Sequence, residues 1–135
     1  MGSKKNQEEY LIQKAVFAWA EIERVKRPEL FLLEGSINGV KLTIGQIVKA
    51  KKAGMKKATP DIRLPVPSGK YHGLYVELKT KNGKIDPDQK DYLKALGHYG
   101  NFACVCRGYR ACVGVIRAYI DGRIDEFMEV KKCLE

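Results

Sequence analysis

The sequence lacks the features that mark several large classes of protein. No apolar run approaches the roughly 20 residues that a membrane-spanning helix needs, and the N-terminus has no signal-peptide pattern. There are only two histidines and four cysteines, and no two cysteines form a Cys-x-x-Cys pair. A zinc site is therefore not expected, and neither is a membrane as a partner.

The cysteines also give no sign of a disulfide framework. Cys104 and Cys106 alternate along a predicted strand, so both side chains point to the same face. Because free cysteine is among the most frequently buried residue types, these two are interpreted as reduced core residues. Reduced thiols are typical of an intracellular location, which is the location we expect.

Acidic residues are scarce relative to basic ones. The 135 residues include 25 Lys and Arg against 16 Asp and Glu, a formal net charge of +9. Such a balance favours a polyanionic partner, nucleic acid first and an acidic membrane surface second. With 44% hydrophobic residues, the chain has the composition of one folded domain over residues 1–135. Residues 1–5 are expected to be disordered or foreign to the native domain.

Helices and strands alternate along the sequence. A helix is predicted at 6–27, where Leu11, Ala15, Ala18, Trp19, Ile22 and Val25 recur at helical spacing and Pro28 follows. A strand at 31–33 and an Asn38-Gly39 turn come next. Further helices are predicted from Thr43 to Gly54, from Asp86 and at 109–121, with a strand at 101–106, whereas the tail to Glu135 is ambiguous. This order indicates an α/β domain with a mixed sheet.

The central hairpin carries the most informative residues. Ile62–Val66 and Leu74–Leu78 are predicted strands, separated by a turn at 67–70. If the hairpin is centred on Gly69, Asp61 and Glu77 are opposite one another with Cβ atoms roughly 5 Å apart, close enough to share a divalent cation. Alternation places Glu77 and Lys79 on one face and the apolar residues on the other.

These residue types suit metal-assisted cleavage of a phosphodiester. Mg²⁺ and Mn²⁺ prefer oxygen ligands, and two carboxylates leave coordination positions for water and phosphate. Lys79 can polarise the attacking water or neutralise the phosphate. Taken singly, Asp61 is explained as a turn residue and Glu77-x-Lys79 as a surface ion pair, but the combination across one hairpin favours the catalytic interpretation.

Two further residues have both a structural and a functional explanation. Gln89 stands where a capping-box partner of Asp86 belongs, yet it points toward the sheet and can reach the lysine or the water. Glu9 can cap Asn6, or it can add a third carboxylate from the first helix. Glu8 is the alternative to Glu9 for that role.

A basic run directly precedes Pro60-Asp61. Its members are Lys49, Lys51, Lys52, Lys56 and Lys57. A solvated helical face is the usual explanation of such a run, but its position favours contacts with phosphates on either side of the metal site. The DNA-binding candidates are Lys49, Lys52, Lys56, Lys57, Arg63 and Arg107.

The chain resembles the virus-type replication-repair nuclease (VRR-NUC) domain of the PD-(D/E)xK nuclease superfamily. The resemblance spans Glu9 to about Ile120 and is carried by Gly54–Pro60-Asp61-Ile62, by Tyr71–Lys79, by Asp86-Pro87-Asp88-Gln89-Lys90 and by Leu96-Gly97. It implies a restriction-endonuclease-like core, a mixed central sheet flanked by helices. Ala58-Thr59 stand where family members often have glycine and valine, which affects backbone shape near the metal.

The resemblance also implies roles for individual residues. Asp61, Glu77, the Leu78 backbone carbonyl and Glu9 are expected to bind Mg²⁺, for which Mn²⁺ is expected to substitute. Lys79 is expected to assist the attacking water, with Gln89 in support. These five side chains are the expected catalytic set.

The chain is similar to stand-alone phage or bacterial members, which are associated with homodimers that cut branched DNA, including four-way (Holliday) junctions, in replication, recombination or repair. A symmetric junction needs two opposed cuts, which a two-fold dimer supplies. Two alternatives remain at this point. One is a nuclease acting on other DNA structures or on RNA, and the other is a basic nucleic-acid-binding protein without catalysis.

Overall fold

Residues 4–37 and 40–134 are described by a computed structural model, in which five α-helices surround a four-stranded sheet. The helices are α1 (Lys4–Glu23), α2 (Ile44–Lys52), α3 (Pro87–His98), α4 (Tyr109–Ile120) and α5 (Ile124–Leu134). The strands are β1 (Glu34–Gly35), β2 (Ile62–Leu64), β3 (Leu74–Lys79) and β4 (Phe102–Arg107). Within the described residues, no helix is both long and apolar enough to cross a bilayer.

The sheet is mixed, as predicted. The strand order is β1-β2-β3-β4, with β1–β2 and β2–β3 antiparallel and β3–β4 parallel. Helix α3 makes the crossover that parallel pairing of β3 and β4 requires. The structure thus confirms the α/β class.

The β2–β3 hairpin has the register that symmetry about Gly69 predicts. Ile62 pairs with Val76 and Leu64 with Leu74. Gly69 has a φ of +56°, a left-handed conformation that glycine adopts without steric cost. One further step along this register places Asp61 opposite Glu77, immediately beyond the end of β2.

The two faces of β3 differ in chemistry. Leu74, Val76 and Leu78 are fully buried in the core, where helices α1 and α4 pack against the sheet. The helices' buried residues in this core are Val16, Ala20, Cys112, Val115, Ile116 and Tyr119. Glu77 and Lys79, which alternate with the apolar set, therefore point to the opposite face.

Local hydrogen-bond chemistry sets several helix ends as predicted. Thr43 Oγ1 accepts a bond from Gln46 N while Gln46 Oε1 accepts from Thr43 N, which is a complete capping box. Gly54 follows the end of α2 with a φ of +101°. At α3, Gln89 Oε1 accepts a bond from Asp86 N at 3.1 Å.

Two predicted segments are corrected, and a third cannot be compared. Helix α1 spans Lys4–Glu23 rather than 6–27, so Lys4 and Lys5 are helical, although disorder was expected to residue 5. The predicted strand at 31–33 is wrong, because Pro28–Leu32 forms a 3-10 helix and β1 follows it. Proline at the first position favours that turn. The Asn38-Gly39 turn lies outside the described residues.

The apolar series that predicts α1 lies on its outer face. Leu11, Ala15, Ala18, Ile22 and Val25 are all exposed. The inner face instead buries Val16 and Ala20 together with two polar residues, Glu9 and Gln13. Trp19, at the edge between the faces, is half-buried with the Arg117 guanidinium 5.7 Å from its ring centroid.

Candidate active site

The polar face of the sheet opens into a cleft of about 970 Å³. Acidic side chains in its lining are buried, since Asp61 is 6% and Glu77 3% exposed. Cations at its edge are exposed, namely Lys51, Lys56, Lys57, Arg63 and Lys84. The cleft therefore has an acidic floor beneath a basic rim, which suits a phosphate backbone above a cation.

Asp61 lies just before β2, where it fastens two neighbouring segments. Its Oδ2 accepts a hydrogen bond from Leu78 N at 2.7 Å, and Ser36 Oγ lies 3.4 Å from its Oδ1. Its backbone carbonyl accepts a bond from Ser36 N at 2.7 Å. Asp61 is thus held against β3 by a side-chain hydrogen bond, which takes the place of the next backbone hydrogen bond between β2 and β3.

Glu77 sits directly opposite, and its environment disfavours negative charge. Burial, followed by the proximity of Asp61, raises the pKa of Glu77 to about 9, and Glu9 adds to the effect. Glu77 Oε1 accepts a hydrogen bond from Gln89 Nε2 at 3.0 Å. Its Oε2 is buried and has no hydrogen-bond partner within the described residues.

Lys79 is the buried cation of the site, only 5% exposed. Its Nζ lies 3.9 Å from Glu77 Oε1. The two residues are next-but-one neighbours on β3, so their side chains leave the same face of the sheet. This ammonium group partly offsets the negative charge of the two carboxylates.

Helix α1 brings Glu9 to the same cleft. Glu9 is buried and lines the cleft, whereas Glu8 is exposed. One turn further along α1, Gln13 Nε2 donates to Ser36 O at 2.9 Å. This contact holds the segment after β1 over Asp61. The structure therefore places Glu9, not Glu8, beside the hairpin carboxylates.

The donor set fits a hard divalent cation. An unpartnered buried oxygen on Glu77, a residue directly opposite a second carboxylate, is costly unless a cation or proton occupies the site. The Leu78 carbonyl points to the same side of β3 as its N–H, toward Asp61. Pro60, which would be opposite Leu78 in the ladder, has no N–H to donate to that carbonyl.

Side-chain ligands alone do not complete the site. Within the described part of the chain, no three His, Cys, Asp or Glu side chains are grouped closely enough to hold an ion. A cation here would need the Leu78 carbonyl, water or substrate oxygens in addition to carboxylates. Such mixed coordination is usual for Mg²⁺ at phosphate-processing sites.

Comparison with known proteins agrees with this geometry. The profile of the VRR-NUC domain matches residues 7–110. The chain belongs to the VRR-NUC family. One solved structure, described as a VRR_NUC domain protein, is 30% identical, covers 84% of this chain and 88% of its own, and superposes with a TM-score of 0.72. No curated protein matches the chain significantly.

Membership of the VRR-NUC family confirms the resemblance seen in the sequence. It identifies the chain as a nuclease domain that acts on DNA. Within this VRR-NUC domain, the expected catalytic side chains Asp61, Glu77, Lys79, Gln89 and Glu9 all line one cleft.

The structure separates the basic residues into groups. Lys56, Lys57 and Arg63 line the cleft, but Arg63 is also paired with Glu34, at 2.7 Å. Lys49 and Lys52 do not line it, because they lie on other faces of α2.

Arg107 lines the neighbouring basic pocket and also contacts the backbone of its own chain. Its Nη1 donates to Thr80 O at 2.9 Å and to Gly83 O at 2.6 Å, which holds the loop between β3 and α3.

Ser36 and Lys84 are among the cleft residues that were not predicted from the sequence. Ser36 touches Asp61, but its segment follows a wrongly predicted strand. Lys84 lines both the cleft and a neighbouring basic pocket formed by residues 81–85, Lys90 and Arg107. The closeness of Lys84 to Asp86 in the sequence was the only available signal.

Proposed function

We propose that this VRR-NUC domain is a divalent-metal-dependent endonuclease that hydrolyses phosphodiester bonds in branched DNA, with four-way (Holliday) junctions as its substrate. The observation that carries the proposal is the buried Asp61–Glu77 pair beside Lys79, with an unpartnered Glu77 oxygen, at the bottom of a basic-rimmed cleft. A stable fold would gain nothing from burying two carboxylates side by side, whereas cation binding requires it.

Asp61, Glu77 and the Leu78 carbonyl are the groups that would hold Mg²⁺, with the Glu9 carboxylate completing the acidic cluster around them, and Mn²⁺ should substitute because it accepts the same oxygen ligands. The bound ion would supply an activated water and offset the charge that develops on the phosphate. The raised pKa of Glu77 supports the assignment, since a carboxylate pair that is electrostatically costly by itself gains most from a cation.

The chain's own groups would position and neutralise the reacting atoms. The Lys79 ammonium, nearly excluded from solvent, can donate to the attacking water or to a non-bridging phosphate oxygen. Gln89 fixes the orientation of Glu77 through a hydrogen bond from its Nε2–H to Oε1, which leaves the buried Oε2 as the oxygen without a hydrogen-bond partner among the described residues. Both effects depend on groups already in place before substrate arrives.

The rim indicates a path for the DNA backbone. Lys56 and Lys57 line the cleft, and Lys84 lines both the cleft and the adjoining basic pocket of about 470 Å³. A backbone crossing the carboxylates would continue over the β3–α3 loop, whose carbonyls Arg107 holds. Phosphate contacts of this kind position a substrate without reading its sequence.

Two-fold symmetry would match the substrate. One chain has one such cleft, and resolution of a four-way junction needs two opposed cuts, so we propose a homodimer. The proposed setting is intracellular, in a bacterium or a phage-infected host, during replication, recombination or repair of DNA.

Cleavage of a four-way junction should be compared with that of a linear duplex of the same sequence, with Mg²⁺, with Mn²⁺ and with chelator. We expect metal-dependent paired cuts near the junction centre and slower cutting of the duplex. Glu77→Ala should lose roughly 100-fold or more of the cleavage rate while retaining DNA binding. Equal cutting of the duplex, or of RNA, would contradict junction specificity. Unchanged cutting by Glu77→Ala would contradict the assigned site.

A further inference from the structure

The outer face of α1 carries a continuous apolar stripe. None of the described residues of the chain covers it. Leu11, Ile22 and Val25 are 59%, 77% and 86% exposed, and Ala15 and Ala18 between them are also exposed. The five positions are separated by four, three, four and three residues. That spacing aligns them along one side of a helix, opposite the side that faces the core.

The position of Val25 fits this description although α1 ends at Glu23. The N–H of Arg24 donates to Ala20 O at 2.9 Å, and the N–H of Arg27 donates to Glu23 O at 2.9 Å. The chain therefore continues along a helical path beyond the end of α1. The stripe runs the length of the element rather than forming a local cluster.

Alternating spacings of three and four are the pattern of a helix–helix seam. A helix that packs only on its own core normally has polar residues on its outer face. Here the central residues of the stripe, Ala15 and Ala18, are small, and the larger residues lie toward its ends. Small central residues allow two helices to approach closely, while the larger ones fill the space where the helices diverge.

We propose that this stripe, Leu11–Ala15–Ala18–Ile22–Val25, binds the same stripe of a second copy of the chain in antiparallel orientation, with the two-fold axis near Ala18. Leu11 lies seven positions before Ala18 and Val25 seven positions after it. In an antiparallel pair, Leu11 of one copy therefore packs against Val25 of the partner subunit. The interface is self-complementary, as a two-fold contact must be.

The charges beside the stripe select this orientation. Lys14 and Glu21 border one side and lie at similar distances from Ala18, and Glu8 and Lys26 border the other in the same way. In the antiparallel pair, Lys14 meets the partner's Glu21 and Glu8 meets the partner's Lys26, each twice. Exposed ion pairs are individually weak, so they set orientation while the apolar contact supplies most of the affinity.

This α1 interface rests on the homodimer of the proposed function and assigns its surface. Its test is a molecular mass, which needs neither metal nor cleavage. If the protein dimerises through α1 but does not cut DNA, the proposed function fails and the α1 interface stands. If it cuts DNA as a monomer, the α1 interface fails and the nuclease activity stands.

Sedimentation equilibrium of the full chain is the decisive measurement. We expect a dimer for the wild type, and self-association weakened by roughly 30-fold or more in Ala18→Glu, because two carboxylates would meet at the axis. Ile22→Glu should behave in the same way. Val130→Glu, which adds the same charge at an exposed position of α5, is the matched control and should remain dimeric.

All three positions are exposed in the single chain, so the variants should keep the circular dichroism spectrum of the folded wild type, and only the part of the thermal stability that depends on protein concentration should be lost with the dimer. A monomeric wild type would overturn the proposal, and so would dimers of Ala18→Glu as tight as those of the wild type. The wild type should also be tested for binding to phosphatidylserine vesicles. If it binds them and Ala18→Glu abolishes this binding, the stripe contacts a membrane surface and the dimer proposal is overturned.

Charge reversal tests the orientation. Lys14→Glu and Glu21→Lys should each weaken the dimer several-fold, because each places like charges together twice. The double variant restores both pairs and should recover the wild-type mass distribution. A double variant weaker than either single variant would overturn the antiparallel arrangement.

Discussion

Gln89 illustrates how one side chain serves both the fold and the site. Its Oε1 accepts the Asp86 N–H at the start of α3, and its Nε2 donates to Glu77 Oε1. A side-chain amide has separate donor and acceptor atoms, so the two contacts do not compete. The capping and functional interpretations, which are alternatives in the sequence, coexist in the structure.

The two contacts of Gln89 can be separated by substitution. Gln89→Glu keeps an oxygen for the Asp86 N–H but loses the donor to Glu77 and adds a negative charge beside it. We expect the single-turnover cleavage rate to fall by about 10- to 100-fold. Thr43→Ala, which removes the equivalent capping box of α2, should cost about 1 kcal/mol of stability without changing the rate. Wild-type cleavage by Gln89→Glu would contradict the role.

Glu77 should make the stability of the metal-free protein depend on pH. Its pKa is raised from 4.5 to about 9 in the folded state. The folded carboxyl therefore keeps a proton that the unfolded one releases, and stability should fall as pH rises across that range. Urea unfolding in chelator at pH 5 and pH 8 should show this decrease, and Mg²⁺ should reverse it at pH 8.

Glu77→Gln supplies the control for this measurement. The amide cannot ionise, so the variant should lose less stability between pH 5 and pH 8 and should gain less from Mg²⁺. Identical pH profiles for the two proteins would mean that Glu77 is not the group responsible.

At the scale of elements, the site depends on how closely α1 meets the segment after β1. A Cβ on Gly35 would lie 2.5 Å from Gln13 Nε2 and 2.9 Å from Phe17 Cε2. Gln13 is the residue that donates to Ser36 O, next to Asp61. Glycine is required at position 35 because there is no space for a side chain there, and not because of its backbone conformation.

Gly35→Ala should therefore destabilise the protein by about 1–3 kcal/mol, the usual cost of overpacking, and lower its affinity for Mg²⁺ by displacing Gln13 and Ser36. Gly97→Ala is the matched control. Gly97 lies inside α3 with nothing within 4 Å of the added Cβ, so alanine should stabilise by about 0.5–1 kcal/mol. Thermal melting with and without Mg²⁺ measures both. Equal effects would show that the packing at Gly35 is not critical.

At the scale of the whole molecule, the net charge of +9 matters less than its layout. Buried acids lie below exposed lysines in one cleft, so the field attracts a phosphate backbone over the site where a cation can bind. Removal of two charges should therefore have different effects at the rim and away from it.

Lys56 and Lys57 line the cleft, whereas Lys49 and Lys52 do not. Replacing the first pair with alanine should weaken DNA binding and reduce the slope of log K against log salt by about 0.9 for each phosphate that the variant no longer neutralises. Replacing the second pair removes the same charge and should change the slope less. Titrations at several salt concentrations measure both. Equal slopes would indicate that net charge alone drives binding.

The features that depend on local bonding were specified by the amino-acid sequence alone. The hairpin register follows from turn residues and alternation around Gly69, and the starts of α2 and α3 follow from capping residues. These involve partners within a single hairpin or a single helical turn, so the residue types of one short segment specify them. The opposition of Asp61 and Glu77 was predictable for that reason.

Which distant groups meet was established only by the packing of the folded chain. That packing placed Glu9 rather than Glu8 in the cleft, tied Arg107 to the β3–α3 loop and turned the apolar series of α1 outward. A helical period shows that a helix has an apolar side but not whether that side meets its own core. The outcome depends on which face of α1 fits the sheet and α4, a property of packing between segments far apart in the chain.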